Sequence, residues 1–400
     1  MTEALRFLLR ATASVARRFE RRPPRHPGEV RRILLCASGG LGNAVLLQPL
    51  VGAVRAGCPG ARLDVLMTSA AAAGLVRSMG WADRVTTMPE EEWYAGGAIL
   101  RRFAGPLRSE RYDWVLRTFL TAPEAARASL AAFLSGAPVR VAYGTARANP
   151  FETHLLPGND SVPEIDRHLA LAETLGLARP RDWRPAPPPA EGSAWAARFI
   201  AAHDARRTPL VGLHPGSDPR YTAKRWPAAR FGELAAMIAA RLGARPIVFG
   251  GPDDAAAVDV VMRTAGGAVL PATGQEIAAT AGLIARCAAF VTNDSGLMHV
   301  AGLLGVPTLA LFGPSDPIKN RTLDPGARVL RLGLSCSPCS KEHAMNACDH
   351  HDCLRTLEVA AVYGALAAIL AGSKGATGGG ATRPGDRRAA AGGEEARWHR

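Results

Sequence analysis

Four hundred residues, 48% of them hydrophobic, suffice for a large core and suggest two domains rather than one. The formal net charge is +13, but nine of those charges fall within residues 1–32 and 372–400. The mildly basic middle shows no dense Lys/Arg stripe interleaved with aromatics, which excludes nucleic acid as a partner of the folded body. No uninterrupted apolar run approaches the roughly 18 residues of a membrane-spanning helix. Arg6 and Arg10 break the apolar block at the start, short of a secretory signal's core, so a cytoplasmic protein is expected.

Residues 1–28 form a basic extension in which Leu5, Leu8, Leu9, Val15 and Phe19 recur at roughly helical spacing between arginines. Such a helix suits an anionic inner-membrane surface, and equally a solvated arm of no consequence. Pro23-Pro24-Arg25-His26-Pro27-Gly28 ends it. From Val30 the pattern becomes strand, glycine turn, helix: Val30–Cys36 is largely apolar, Ser38–Asn43 turns, and a helix is predicted over Ala44–Ala56. The turn lacks the third glycine of a dinucleotide fingerprint, so a nicotinamide cofactor is disfavoured. Gly40 and Gly42 suit instead a close backbone approach to a bound molecule. Further strands, read at Arg62–Met67, Arg84–Met88, Tyr112–Arg117 and Val139–Tyr143, complete a parallel-sheet domain over residues 29–184.

Residues 185–207 are assigned to a proline-rich linker and a connecting helix. A second domain, 208–355, repeats the theme. Leu210–His214 is a strand, Pro215-Gly216-Ser217-Asp218 a turn, Tyr221–Arg225 a flexible cationic segment, and Trp226–Leu242 a helix. Arg245–Phe249 is the next strand, ending in Gly250-Gly251-Pro252-Asp253-Asp254. Cys287–Val291 then runs into Thr292-Asn293-Asp294-Ser295-Gly296, after which the apolar spacing from Leu297 to Leu304 turns helical. The N–H groups of Ser295 and Gly296 would face outward at the positive end of that helix, a candidate diphosphate site. A plainer reading stands beside it, in which Asp294 or Ser295 only caps a helix and His299 is a core histidine. Ligands of open α/β sheets bind at the carboxyl ends of strands, so the turns after Leu213, Phe249 and Val291 are predicted to share one rim. Cys336, Cys339, Cys348 and Cys353 have spacings open to a structural metal, to two disulfides or to free thiols. A helix over 356–371 should pack back on the body, and 372–400 reads as a disordered tail.

Several of these segments together resemble glycosyltransferase family 9, which contains the ADP-heptose:lipopolysaccharide heptosyltransferases. They are Ser38-Gly39-Gly40-Leu41-Gly42-Asn43, His214-Pro215-Gly216-Ser217, Lys224-Arg225-Trp226-Pro227, Phe249-Gly250-Gly251-Pro252, Thr292–His299 and Phe312-Gly313-Pro314-Ser315-Asp316-Pro317. The resemblance implies a GT-B fold, two Rossmann-like doubly wound domains facing a cleft. It also implies inverting, metal-free transfer of a sugar from a nucleotide diphosphate sugar, ADP-heptose in the family's named members, to a lipid-linked glycan, with no cofactor beyond the donor. Carried over by position, Gly216, Ser217, Lys224, Asp294, Ser295, Gly296 and His299 would line the donor. Asp253 or Asp254 would fall near the ribose, and Gly40, Gly42 and Asn43 would face the acceptor. The cysteine cluster also looks like one seen in many members. Asn43 stands where the family carries an aspartate proposed as the general base, and an amide cannot accept that proton. Another group, water, or a weak or inactive binding role are the three readings this leaves open.

Overall fold

A computed structural model describes residues 26–88, 105–118, 122–145, 149–158, 162–180, 182–339, 345 and 347–375. The basic helix expected before residue 26, all but the end of a helix that the sequence predicts after Met88 through about Leu107, and the tail beyond 375 lie outside them.

Two six-stranded parallel sheets carry the fold, each wound in the order 3-2-1-4-5-6. The first contains β1 (Arg32–Ala37), β2 (Arg62–Met67), β3 (Arg84–Thr87), β4 (Trp114–Arg117), β5 (Val139–Tyr143) and β6 (His154–Leu156). Its helices are α1 (Leu41–Leu46), α2 (Gln48–Gly57), α3 (Ala70–Ser78), α4 (Gly105–Glu110), α5 (Ala122–Leu134) and α6 (Glu164–Thr174). The connecting helix α7 (Ala190–Ala202) leads to the second sheet: β7 (Leu210–His214), β8 (Arg245–Gly250), β9 (Leu270–Thr273), β10 (Cys287–Asn293), β11 (Thr308–Leu311) and β12 (Arg328–Leu330). With it go α8 (Ala228–Arg241), α9 (Ala255–Thr264), α10 (Ile277–Ile284), α11 (Gly296–Leu303), α12 (Asp352–Arg355) and α13 (Val359–Gly375).

Three expectations need correction. The helix predicted over Ala44–Ala56 is two helices, α1 and α2, because Pro49 has no N–H to continue the ladder at their junction. The segment Tyr221–Arg225, expected to be flexible, belongs mostly to a 3-10 turn over Pro219–Lys224, held at its start by Asp218 accepting from the Arg220 N–H at 2.9 Å. The last helix runs on to Gly375, past the point where a disordered tail was expected to begin.

The apolar residues sort into layers because parallel strands are buried on both faces. One face of the first sheet, through Leu34, Cys36, Leu66 and Val115, packs on α5. One face of the second, through Val211, Leu213, Val248 and Val291, packs on α8, α9 and α13. The two remaining faces share a single core that joins Ile33, Leu35 and Leu63 to Leu210, Ile247 and Phe290. Helix α7 crosses α10 at two glycines. A Cβ on Gly192 would stand 1.9 Å from the Ala278 carbonyl oxygen, and one on Gly282 would stand 2.1 Å from the Gly192 backbone. The linker is fastened as well, since the Ala186 N–H donates to the Leu303 carbonyl at 2.9 Å.

At the carboxyl end of β4, Arg117 is fully buried and lies 2.6 Å from both Glu152 Oε1 and Asn149 Oδ1. Asn149 in turn donates to the Tyr143 carbonyl at 3.0 Å, so this pair ties β4 to the end of β5. Burial pushes the neighbouring Cys36 thiol up to about 12, with Arg117 pulling it down and Glu152 raising it.

Candidate active site

Each doubly wound sheet has a switch point, between β1 and β4 in one and between β7 and β10 in the other. The second is where the candidate donor residues meet. β7 ends in His214, whose Nδ1 lies 3.0 Å from Ser295 Oγ at the end of β10 and whose Nε2 lies 3.4 Å from Asp254 Oδ2 beyond β8. Ser295 Oγ also lies 3.0 Å from Thr292 Oγ1 and accepts from the Met298 N–H at 3.4 Å. Ser295 is therefore a true helix cap, as the plainer reading had it, and at the same time a member of this polar cluster. The predicted common rim of the turns after β7, β8 and β10 is present.

The cations arrive from the 3-10 turn after β7. Lys224 Nζ pairs with Asp294 Oδ2 at 3.0 Å, and Asn320 Nδ2 donates to the same oxygen at 3.1 Å. Arg225 Nε donates to Ser217 Oγ at 3.1 Å, and its guanidinium lies 3.4 Å from Asp254 Oδ1. Asn293 locks the arrangement: its Oδ1 accepts from the Trp226 N–H at 3.0 Å and its Nδ2 donates to the Pro215 and Gly216 carbonyls at 2.8 and 3.2 Å. A Cβ on Gly216 would sit 2.1 Å from Asp254 Oδ1, so only glycine lets this turn close on the carboxylate. Burial works to raise the Asp254 carboxyl. His214, the Gly251 N–H and Arg225 outweigh it and hold the group below its ordinary value.

The structure thus brings together Gly216, Ser217, Lys224, Asp294, Ser295, Gly296 and His299. Asp254 rather than Asp253 belongs to the buried network, while Asp253 is exposed on the same turn. The first domain meets this cluster through α1, which packs on α11. A Cβ on Gly42 would lie 2.9 Å from the His299 ring, and one on Gly296 would lie 2.8 Å from Leu41 Cβ. Gly40 caps α1 and Asn43 sits in its first turn. Asn43 Nδ2 donates to Glu164 Oε1 at 2.7 Å. Sequence reasoning gave no role to Glu164, His214, Asn293 or Asn320. His214 and Asn293 lay inside motifs already singled out, whereas Glu164 is 121 residues from Asn43 and no local pattern joins them.

His168 and His299 are both buried, and burial holds each below the ordinary imidazole value. For His299, Lys224 pushes the same way while Asp294 and Glu164 oppose it. Its buried Nδ1 has no hydrogen-bond partner within the protein. The native rings are neutral, so on acidification the unfolded chain takes up protons first. Stability is then lost as the pH falls below about 6.5, the ordinary imidazole value, and on through the lower folded values. Urea unfolding at pH 7.5 and 5.5 is expected to show a decline of up to about 1.4 kcal/mol per pH unit for each histidine. His168→Gln should flatten the slope, and a pH-independent stability in the native chain would contradict this.

The seven cysteines are free thiols. Among the described residues no group of three or more His, Cys, Asp or Glu side chains is placed to hold a metal. Burial raises the Cys339 and Cys353 thiols, the latter to about 11, with the charges of the other cluster cysteines adding to it. Among the described residues no helix is long and apolar enough to cross a membrane.

The family profile described as glycosyltransferase family 9 (heptosyltransferase) matches residues 100–350. The chain is similar to the curated lipopolysaccharide heptosyltransferase 2 of Salmonella typhimurium, with 31% identity over 326 residues, covering 75% of this chain and 88% of that one. Its similarity to the Escherichia coli counterpart is 30% over 324 residues, with the same coverage. The solved structure of E. coli ADP-heptose lipopolysaccharide heptosyltransferase II aligns with a TM-score of 0.70 and 25% identity, over 86% of this chain and 99% of that one. The glycosyltransferase family 9 structure from Veillonella parvula aligns with a TM-score of 0.74 and 23% identity, over 86% and 98%. The two-sheet architecture is accordingly the GT-B fold.

Proposed function

Because the chain belongs to glycosyltransferase family 9, whose members are sugar-transferring enzymes, we propose that it moves a heptosyl group from ADP-heptose to a hydroxyl of a lipid-linked, lipopolysaccharide-type saccharide. The observation that carries this reading is the meeting of Lys224, Asp294 and the start of α11 at the second switch point, directly across from α1. As the bond from sugar to diphosphate breaks, negative charge grows on the leaving phosphate. An ammonium and outward-facing N–H groups already in position stabilise it without having to reorganise. That division of labour needs no divalent ion on the diphosphate, and the sequence holds no Asp-x-Asp pair to bind one. In this reading the donor is held on the second domain, the acceptor approaches from the first, and a single displacement from the face opposite the leaving group inverts the anomeric carbon. The basic stretch before residue 26 suits the anionic cytoplasmic face of the inner membrane, where such an acceptor would be met.

The test is incubation of the purified chain with ADP-heptose and a truncated lipid-linked core saccharide, with and without EDTA. Mass spectrometry would follow the added heptose, and NMR the new anomeric centre. A retained configuration, or a rate abolished by EDTA, would remove the corresponding part of the proposal. Binding of ADP-heptose with no product from any core acceptor would remove the whole.

A further inference from the structure

Transfer to a hydroxyl requires that its proton be removed, usually by a carboxylate or imidazole within hydrogen-bond reach. Two carboxylates of the cleft are engaged elsewhere: Asp294 with Lys224 and Asn320, and Asp254 with His214, Arg225 and the Gly251 N–H. Glu164, the first residue of α6, stands on the first-domain side, and its side chain is 21% exposed. Asn43 Nδ2 donates to its Oε1 at 2.7 Å, and the Arg167 guanidinium lies 3.9 Å from its Oε2. His168 Nε2 lies 3.6 Å from Oε1, while His168 Nδ1 is 2.9 Å from the Leu46 carbonyl. A carbonyl can only accept, so Nδ1 carries the ring hydrogen and Nε2 of the neutral ring keeps its lone pair. His299 completes the surroundings, since the Glu164 charge acts on it and its ring rests against Gly42. An amide at position 43 cannot take a proton, but by donating it holds a carboxylate in place.

We propose that Glu164 removes the proton from the acceptor hydroxyl, with Asn43 as its positioning residue; this rests on the transferase reading above. A Glu164 oxygen takes the hydroxyl hydrogen, and the hydroxyl oxygen's electron pair forms the new bond to the anomeric carbon. The bond from that carbon to the diphosphate breaks, and its electron pair leaves on the phosphate oxygen beside Lys224. The carboxylic acid so formed stands near the lone pair on His168 Nε2, and its proton then passes to water.

The test compares the native chain, Glu164→Gln and the double variant Asn43→Asp/Glu164→Gln, using ADP-heptose as donor and a truncated core saccharide as acceptor. Glutamine keeps an oxygen for Asn43 to donate to, so the fold should hold, and the melting temperature checks this. Glu164→Gln is expected to lower kcat by ~10²–10⁴-fold, to leave the ADP-heptose dissociation constant within about twofold, and to remove the acid limb of the pH–rate profile. The double variant, with a carboxylate restored next door, should recover at least about tenfold. A Glu164→Gln rate close to native, a loss of donor binding in step with the rate, or an unchanged acid limb would each overturn the assignment. If the native chain itself transfers no heptose to any core saccharide, the transferase reading falls and takes this assignment with it. Turnover by the native chain with an indifferent Glu164 removes the assignment alone.

Discussion

Lys224→Met is expected to reduce kcat by ~10²–10³-fold, the usual cost of deleting one preorganised donor aimed at developing negative charge. Methionine keeps most of the length and apolar volume of the lysine stem, so the loss would report the charge rather than a cavity. Asn320 still donates to Asp294 in such a variant, which limits the structural damage from stranding that carboxylate. Arg220 lies four residues away on the same turn, but it is itself exposed and pairs with the half-buried Asp218. Surface pairs of this kind contribute little, so Arg220→Met should leave the rate within about twofold and serves as the control for general charge in the region. Single-turnover measurement at saturating donor separates the chemical step from binding. Equal effects of the two substitutions would mean that Lys224 acts through the overall field and not on the leaving phosphate.

Arg117→Met is expected to destabilise the chain by about 3–5 kcal/mol, because it leaves the Glu152 carboxylate buried without its cation. The side chains are 1% and 0% exposed, so water cannot replace the lost partner, and Glu152 Oε2 already lacks a hydrogen bond. The double substitution Arg117→Met with Glu152→Leu should recover much of the loss, since an apolar pair of similar volume often matches or exceeds a buried ion pair. Urea midpoints at pH 7.5 measure both. A single variant within about 1 kcal/mol of native would show that the carboxylate finds another partner or takes up a proton at little cost.

The sequence made the central strands plain because buried strands are mostly apolar, even where a single charge such as Asp64 or Arg140 interrupts the run. β2, β5 and β7 fall where the pattern put them. β6 and β12 were missed: each has three residues, pairs along only one side, and has no fully buried position. Pro49 could have announced the break between α1 and α2, but the apolar spacing continues across it and hid the junction. The donor cluster was legible for a different reason. Its members lie in short turns directly after strands, where the chain's own geometry fixes which residues face the rim. Asp254 could not be told from Asp253 without knowing which of the two turns inward to His214 and Arg225. The partnership of Asn43 with Glu164 depends on how α6 lies across the end of α1, a packing outcome that neither segment encodes alone.

The apolar layer shared by the two sheets limits how substrates come and go. If the halves swung apart like a hinged book, Leu41, Ile277 and Leu297 would be wetted. Exposing even ~300 Å² in this way costs roughly 7 kcal/mol, which makes so wide an opening too rare to be part of each catalytic cycle. Entry and exit are then left to the surface turns around the rim, and amide hydrogen exchange should be slow along α1 and α11 and fast in those turns.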